Sequence, residues 1–379
     1  ETRTCIDLEN RYSAHNYHPL DVVIQRADGV WVWDVDGQRY MDFLAAYSAV
    51  NQGHNHPRII EALAEQSRQL CLTSRAFRND RFGAFCRKLS ELTGYDKVLM
   101  MNAGAEAVET AIKASRRWGY MRKGVAENRA EIIVFGGNFH GRTTTIVSFS
   151  DDEGARRGYG PYTPGFVTVP YGDAGAAEAA IHANTVAILV EPVQGEGGVI
   201  LPPEGFLKRL RELCDANDVL MICDEIQSGL GRTGLLLEHT RSGIRADGVT
   251  IGKALSGGVY PVSAFLADDK VMDVFEPGSH GSTYGGNPLA CAVAEAALEV
   301  LVEEKLVERS AELGAYLEER LRSLASPHIK EIRCVGLWAG IELHASAGGA
   351  RKFSEALQAR GLLCKETHVH TLRLAPPLV

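Results

Sequence analysis

From about residue 58 onward the chain repeats one pattern that leaves few folds open to it: short apolar runs, each separated from the next by a helical stretch. The runs are Val98–Met101, Glu131–Phe135, Val186–Val190, Val219–Cys223, Val249–Ile251 and Val262–Ala267. They are apolar on both faces and flanked by helical pattern, glycine or proline. Strands of that kind belong in a mainly parallel sheet, because the crossovers between parallel strands cover both of its faces with helices. The fold class therefore reads as α/β. Pro288 to about Glu304 reads as a long helix, and Lys305 to about Ser323 as a second with one exposed face. Upstream, Gly29-Val-Trp-Val-Trp-Asp-Val-Asp-Gly alternates and ends in an Asp-Gly turn, which reads as a hairpin continued through Tyr40-Met-Asp-Phe. From Glu331 strand and helix alternate again, as in a separate small α+β unit.

At 379 residues, two domains, or one large domain with an appendage, are expected. The net charge of −8 carries no basic surplus for nucleic acid. No apolar run approaches the roughly 18 residues of a membrane span. None of the eight cysteines pairs in a C-x-x-C, and several sit in apolar runs, which points to reduced thiols in an intracellular compartment. The opening Glu1-Thr-Arg-Thr-Cys is no signal peptide. A cytoplasmic protein is expected, or one of the mitochondrial matrix if a presequence has been removed.

Three motifs invite misreading. Gly229-Leu-Gly-Arg-Thr-Gly234 spells G-x-G-x-x-G, but it neither follows a strand directly nor opens a helix, as a dinucleotide site requires. Gly252-Lys253 lacks the first glycine and the Ser/Thr of a P-loop. His54-x-His56 sits between Gly53 and Pro57 in a turn without a carboxylate at ligand spacing, so its histidines read as structural and no metal is expected.

The chemistry gathers elsewhere. The run from Val219 ends in Asp224, and ligands bind outside the carboxyl ends of parallel strands. Lys253 stands at the end of the next run, 29 residues later. Asn102-Ala-Gly104-Ala105-Glu-Ala follows a strand and opens a helix through about Trp118, leaving backbone N–H groups to hold a phosphate at the positive end of the helix dipole. A phosphate cradle, a lysine and a strand-end carboxylate together are what pyridoxal phosphate needs.

With these segments the chain resembles the fold type I pyridoxal-phosphate aminotransferases of class III. The match runs through Asn102–Ala107, Phe139-His140-Gly-Arg142-Thr, Glu191-Pro-Val-Gln-Gly-Glu196, Asp224-Glu-Ile-Gln227-Ser-Gly, Gly252-Lys253-Ala-Leu-Ser-Gly-Gly and Gly281-Ser282-Thr283-Tyr-Gly-Gly-Asn-Pro288. The resemblance implies a mainly parallel seven-stranded sheet sandwiched by helices, plus a small α+β domain built from both termini. Its divisions would be 1–53 and 305–379 for the small domain and 54–304 for the large cofactor-binding one. Relatives usually continue through another helix, so 305–379 reads as a shortened C-terminal part. By position, Lys253 would be the lysine that bonds the cofactor and Asp224 the partner of its pyridine nitrogen. Gln227 would meet its phenolic oxygen, and Phe139, with His140 beside it, would pack on its ring. Gly104 and Ala105 would offer amides to the phosphate, while Ser282 and Thr283 would reach the phosphate of a neighbouring subunit, giving a homodimer with shared active sites. Ala103, where relatives often carry Ser or Thr, leaves that contact to backbone.

Within class III the chain is most similar to the ornithine-specific branch, through Tyr12-Ser-Ala-His-Asn-Tyr17-His-Pro-Leu, Ala46-Tyr47-Ser-Ala-Val-Asn-Gln-Gly-His, Leu72-Thr-Ser-Arg-Ala-Phe and Arg373-Leu-Ala-Pro-Pro-Leu. This implies L-ornithine and 2-oxoglutarate as substrates. Arg142 would hold the carboxylate far from the reacting carbon, with Tyr17 helping and Tyr47 lining the pocket. Arg373 would bind the α-carboxylate of 2-oxoglutarate, and Glu196 would mask Arg373 while ornithine reacts. A class III enzyme for N-acetylornithine or 4-aminobutyrate is the nearest alternative, disfavoured by Tyr17 with Tyr47. A non-transaminating aminomutase or racemase is disfavoured by Glu196 opposite Arg373, and a binding protein would require Lys253 to be silent.

Overall fold

A computed structural model describes all of residues 1–379. Three strands open the chain, Ile24–Asp28 (β1), Trp31–Asp34 (β2) and Arg39–Asp42 (β3). Seven then build the large sheet: Lys97–Met101 (β4), Glu131–Phe135 (β5), Phe166–Val169 (β6), Thr185–Val190 (β7), Leu220–Asp224 (β8), Gly248–Ile251 (β9) and Ser263–Ala267 (β10), in the order β4-β10-β9-β8-β7-β5-β6. The six expected runs are strands to within one residue at either end. The strand missed from sequence is β6, four residues between Gly165 and Pro170 that pair only with β5 at the sheet's edge. β5 to β9 run parallel, whereas β10 is antiparallel to both β4 and β9. Only a single 3-10 turn, Lys253–Ser256, lies between β9 and β10. A parallel return needs about a dozen residues and usually a helix, so the chain turns back instead.

The two faces of the sheet bury separate cores. Ile133, Phe135, Ile188, Val190, Met221 and Cys223 point to one side, under the Pro288–Glu303 helix; Ile132, Val134, Leu189, Leu220 and Ile222 point to the other, under the Gly104–Trp118 helix. Successive strand residues alternate faces, so continuous apolar runs serve both layers. The Pro288–Glu303 helix buries twelve of its residues, and it starts where the Asn287 side chain accepts from Ala290 N at 2.8 Å, just before a proline suited to the first turn.

The remaining strands are Ile329–Cys334 (β11), Ala339–Leu343 (β12), Leu362–Leu363 (β13), Lys365–Thr367 (β14) and Thr371–Leu374 (β15). They form the sheet β11-β12-β15-β14, while β13 joins the N-terminal strands as β1-β2-β3-β13 through a parallel pairing of Leu362 with Met41. Ala375 N donates to Phe43 O at 2.7 Å and Leu378 N to Asn51 O at 2.8 Å, tying the late chain to the early one. All eight cysteines are free thiols. No helix is long and apolar enough to cross a membrane.

Candidate active site

A buried strand exposes its last residue, and the loop beyond it, at the carboxyl edge of the sheet. Five such edges converge on one pocket. β4 delivers Gly104 and Ala105, β5 delivers Phe139 and His140, β7 delivers Glu191 and Val193, β8 delivers Asp224 and Gln227, and β9 delivers Lys253.

Asp224 is fixed from three sides. Its Oδ2 meets His140 Nδ1 at 2.6 Å, and its Oδ1 accepts from Thr250 Oγ1 at 3.0 Å and from Ile226 N at 3.1 Å. Burial works against charge on His140, but the Asp224 carboxylate outweighs it and raises the imidazole above its ordinary value. Glu191 lies beside this pair and accepts from Phe139 N at 3.0 Å. Burial pushes Glu191 up to about 7, against the pull of His140 and with the help of Asp224, so it can hold a proton near neutrality. The sequence assigns no role to Glu191, although it directly follows the Val186–Val190 run, or to Thr250, because their importance comes from burial and from the neighbours that the fold supplies.

Lys253 follows β9 in a left-handed backbone conformation, φ +43°. A lysine held there is constrained by its surroundings, as residues at functional sites often are. Burial, with Arg373 adding to it, lowers the Lys253 ammonium below an ordinary lysine despite Glu196, Asp224 and Glu191. The first amides of the Gly104–Trp118 helix have no carbonyl to bond within it and face the pocket at Gly104 and Ala105. Glu106 Oε2 anchors this helix start by accepting from Asn102 N at 2.8 Å and Ala103 N at 3.0 Å. Gly195 is demanded by packing: a Cβ there would stand 2.2 Å from Gln227 Oε1.

Next to Lys253, Arg373 Nη1 pairs with Glu196 Oε1 at 2.7 Å, and the Arg373 guanidinium lies 5.0 Å from the Tyr47 ring centroid. Burial alone would raise the Glu196 carboxyl, but Arg373, Lys253 and Arg142 together hold it below its usual value. Arg142 is exposed and unpaired, 5.5 Å from the Phe139 ring centroid. Tyr17 sits on an outer pocket that it shares with Ala46 and Tyr47, and is itself largely exposed. Tyr47 belongs to a run of four non-glycine residues in the left-handed region, Ala45 to Ser48, with φ from +47° to +72°. That conformation costs roughly 1–2 kcal/mol per residue, so other contacts must impose it. Ser282 and Thr283 lie off the pocket: Ser282 Oγ accepts from Asn102 Nδ2 at 2.9 Å, and Thr283 is exposed.

The pocket fits pyridoxal phosphate. Gln227 Nε2 and His140 Nε2 are buried and find no partner within the chain, and the open amides at Gly104 and Ala105 suit a phosphate. Asp224, locked at the foot of the pocket, is the acceptor that a protonated pyridine nitrogen needs. These features define a pyridoxal-phosphate enzyme, and the comparisons give its class.

The chain belongs to the class III aminotransferases, whose family model matches residues 12–379. It is a pyridoxal-phosphate-dependent aminotransferase of fold type I. Over its full length it is 56% identical to the ornithine aminotransferase of Brevibacillus brevis and spans 94% of that protein. The crystal structure of the ornithine aminotransferase from Toxoplasma gondii superposes with a TM-score of 0.98 at 46% identity, covering all of this chain and 90% of that one. An acetylornithine aminotransferase from Elizabethkingia anophelis matches with a TM-score of 0.90 at 48% identity, covering all of this chain and 94% of that one.

Proposed function

We propose that this enzyme transfers the δ-amino group of L-ornithine to 2-oxoglutarate, giving L-glutamate 5-semialdehyde and L-glutamate. The observation that carries this reading is the Glu196–Arg373 pair under Tyr47, beside Lys253. A transaminase for these substrates must present an α-carboxylate to the reacting centre in one half-reaction and keep it away in the other.

When bound, pyridoxal phosphate accepts the amino group, stores it for the second substrate and draws electrons from the carbon that gives up a proton. Asp224, braced by His140 and Thr250, would keep a proton on the pyridine nitrogen. Gln227 would take the phenolic oxygen, Phe139 and His140 would pack against the ring, and Gly104 and Ala105 would hold the phosphate. Lys253, its ammonium disfavoured by burial, moves the proton from the substrate's δ-carbon as a general base. Arg142 takes the α-carboxylate of ornithine through its planar fork, with Tyr17 closing the rim. Glu196 meanwhile covers Arg373. In the second half-reaction the α-carboxylate of 2-oxoglutarate replaces Glu196 on Arg373, and Arg142 takes the distal carboxylate.

The exposed Thr283, off its own chain's pocket, supports a homodimer in which Ser282 and Thr283 serve the partner's phosphate. The β3–β13 pairing supports dividing the chain into 1–53 with 305–379 as a small domain, around 54–304. The free thiols support a cytoplasmic location.

Two measurements test the substrate assignment. Turnover of ornithine with 2-oxoglutarate should exceed that of N-acetylornithine; equal or faster use of the acetylated compound overturns the choice. In Glu196→Ala, the rate of the glutamate half-reaction relative to the ornithine one should rise about tenfold or more, the equivalent of unmasking about 1.4 kcal/mol of carboxylate binding at Arg373. Parallel loss of both half-reactions would show that Glu196 does not act as the mask.

A further inference from the structure

Tyr47 reaches Arg373 only because the chain makes a left-handed turn over four consecutive non-glycine residues, and that turn is held at its entrance by one carboxylate. Asp42, the last residue of β3, is buried. Its Oδ1 accepts from Leu44 N at 2.8 Å and from Ala45 N at 3.0 Å, the two amides that lead into the turn. Its Oδ2 meets His54 Nε2 at 2.7 Å. His54 is fixed in turn by its backbone, which exchanges bonds with Gly29 in both directions at 2.8 and 3.1 Å. Asp42 and His54 also line the outer pocket with Tyr17, Ala46 and Tyr47.

We infer that Asp42 and His54 are a positioning pair that sets substrate choice by holding the Tyr47 turn over Arg373. Both Asp42 oxygens are engaged within the chain, so the pair acts through Tyr47 and not by contact with substrate. The Tyr47 ring lies over the Arg373 guanidinium, whose side chain is buried, and so shields the Arg373 side of the Glu196–Arg373 pair. Ion pairs weaken when water reaches them. Letting the turn relax loosens the mask, so an α-carboxylate reaches Arg373 more readily while ornithine loses a wall of its pocket. The pair also accounts for half of the His54-x-His56 motif, whose two rings face different partners: His56 Nε2 meets Glu304 at 3.0 Å.

This inference rests on the proposed roles of Tyr47 and Arg373, and the test separates the two. Ornithine and glutamate half-reactions are followed by cofactor absorbance in single turnovers of holoenzyme. In Asp42→Ala the ornithine-to-glutamate rate ratio should fall about tenfold. Asp42→Asn, which keeps an oxygen for both amides, should restore most of it. His54→Ala should move the ratio the same way by a smaller factor, and it carries the test if Asp42→Ala does not fold. Tyr47→Ala is the reference. If it shifts the ratio and neither Asp42→Ala nor His54→Ala does, the positioning pair is wrong. If Tyr47→Ala leaves the ratio unchanged, the reading of Tyr47 itself fails. Equal loss of both half-reactions in the Asp42 and His54 variants would mean a general structural role and would also overturn the inference.

Discussion

Lys253→Ala is expected to lower the single-turnover rate with ornithine by about 10⁴-fold, the upper end of what one positioned general base contributes. The expectation follows from what surrounds the amine. Lys253 stands at the carboxyl edge of β9, where burial of its amine pushes the ammonium below the ordinary lysine value and so favours the free base. No neighbour can replace it. Asp224 is committed to His140, Thr250 and Ile226, Glu191 to Phe139, and Glu196 to Arg373. The variant should still load pyridoxal phosphate through Gly104, Ala105, Gln227 and Asp224, so the loss is one of chemistry, visible as stalled absorbance changes after ornithine is added. A small exogenous amine such as methylamine should restore part of the rate, because it can enter the space left by the side chain. A variant rate within tenfold of the native enzyme would remove Lys253 from the mechanism.

How much of this was legible in sequence depends on the range over which each feature is encoded. Asp224 and Lys253 could be read directly, because an apolar run that stops at a charged residue marks a strand end, and in a parallel sheet strand ends are where ligands bind. The helix start at Gly104 was legible for the same local reason. The Glu196–Arg373 pair joins residues 177 positions apart, and only the family resemblance placed them together. Glu191 follows the Val186–Val190 run as Asp224 follows its own, but its raised carboxyl has no local mark: the same group on a surface would be ordinary, and its burial beside Asp224 and His140 exists only once β5, β7 and β8 are side by side. β6 escaped because a four-residue edge strand beside Gly165 and Pro170 buries too little to leave an apolar run. The left-handed turn at Tyr47 was hidden because alanine, tyrosine and serine do not announce positive φ as glycine does.

Arg232→Ala is expected to destabilise the holoenzyme by about 3–5 kcal/mol, since it leaves several buried acceptors unpaired at about 1–3 kcal/mol each. The residue belongs to the glycine-rich stretch that imitates a nucleotide loop. In the fold it is a clamp: Arg232, with no exposed surface, donates to Leu337 O at 2.8 Å, Pro376 O at 2.7 Å and Asn51 Oδ1 at 2.6 Å. Three distant parts of the chain thus converge on one guanidinium. Burial drives it down to about 9, with only Asp42 pulling the other way, so carbonyl dipoles rather than a paired carboxylate sustain its charge. The glycines serve the local backbone: Gly231 and Gly234 take positive φ, +92° and +81°. At Gly229 a Cβ would stand 2.7 Å from Glu225 O. Arg232→Met, which fills much of the volume without donating, separates the two contributions: if lost hydrogen bonds dominate, methionine should recover under half of the alanine loss. Urea unfolding followed by tryptophan fluorescence reads the result, because Trp338 is fully buried next to the Leu337 carbonyl that Arg232 holds. An alanine variant within about 1 kcal/mol of the native protein would contradict the clamp, since a single lost buried hydrogen bond should already cost that much. A drop in stability with an unchanged ornithine-to-glutamate ratio would further place Arg232 in the scaffold that carries the Asp42–Tyr47 turn rather than in the turn's own control of substrate choice.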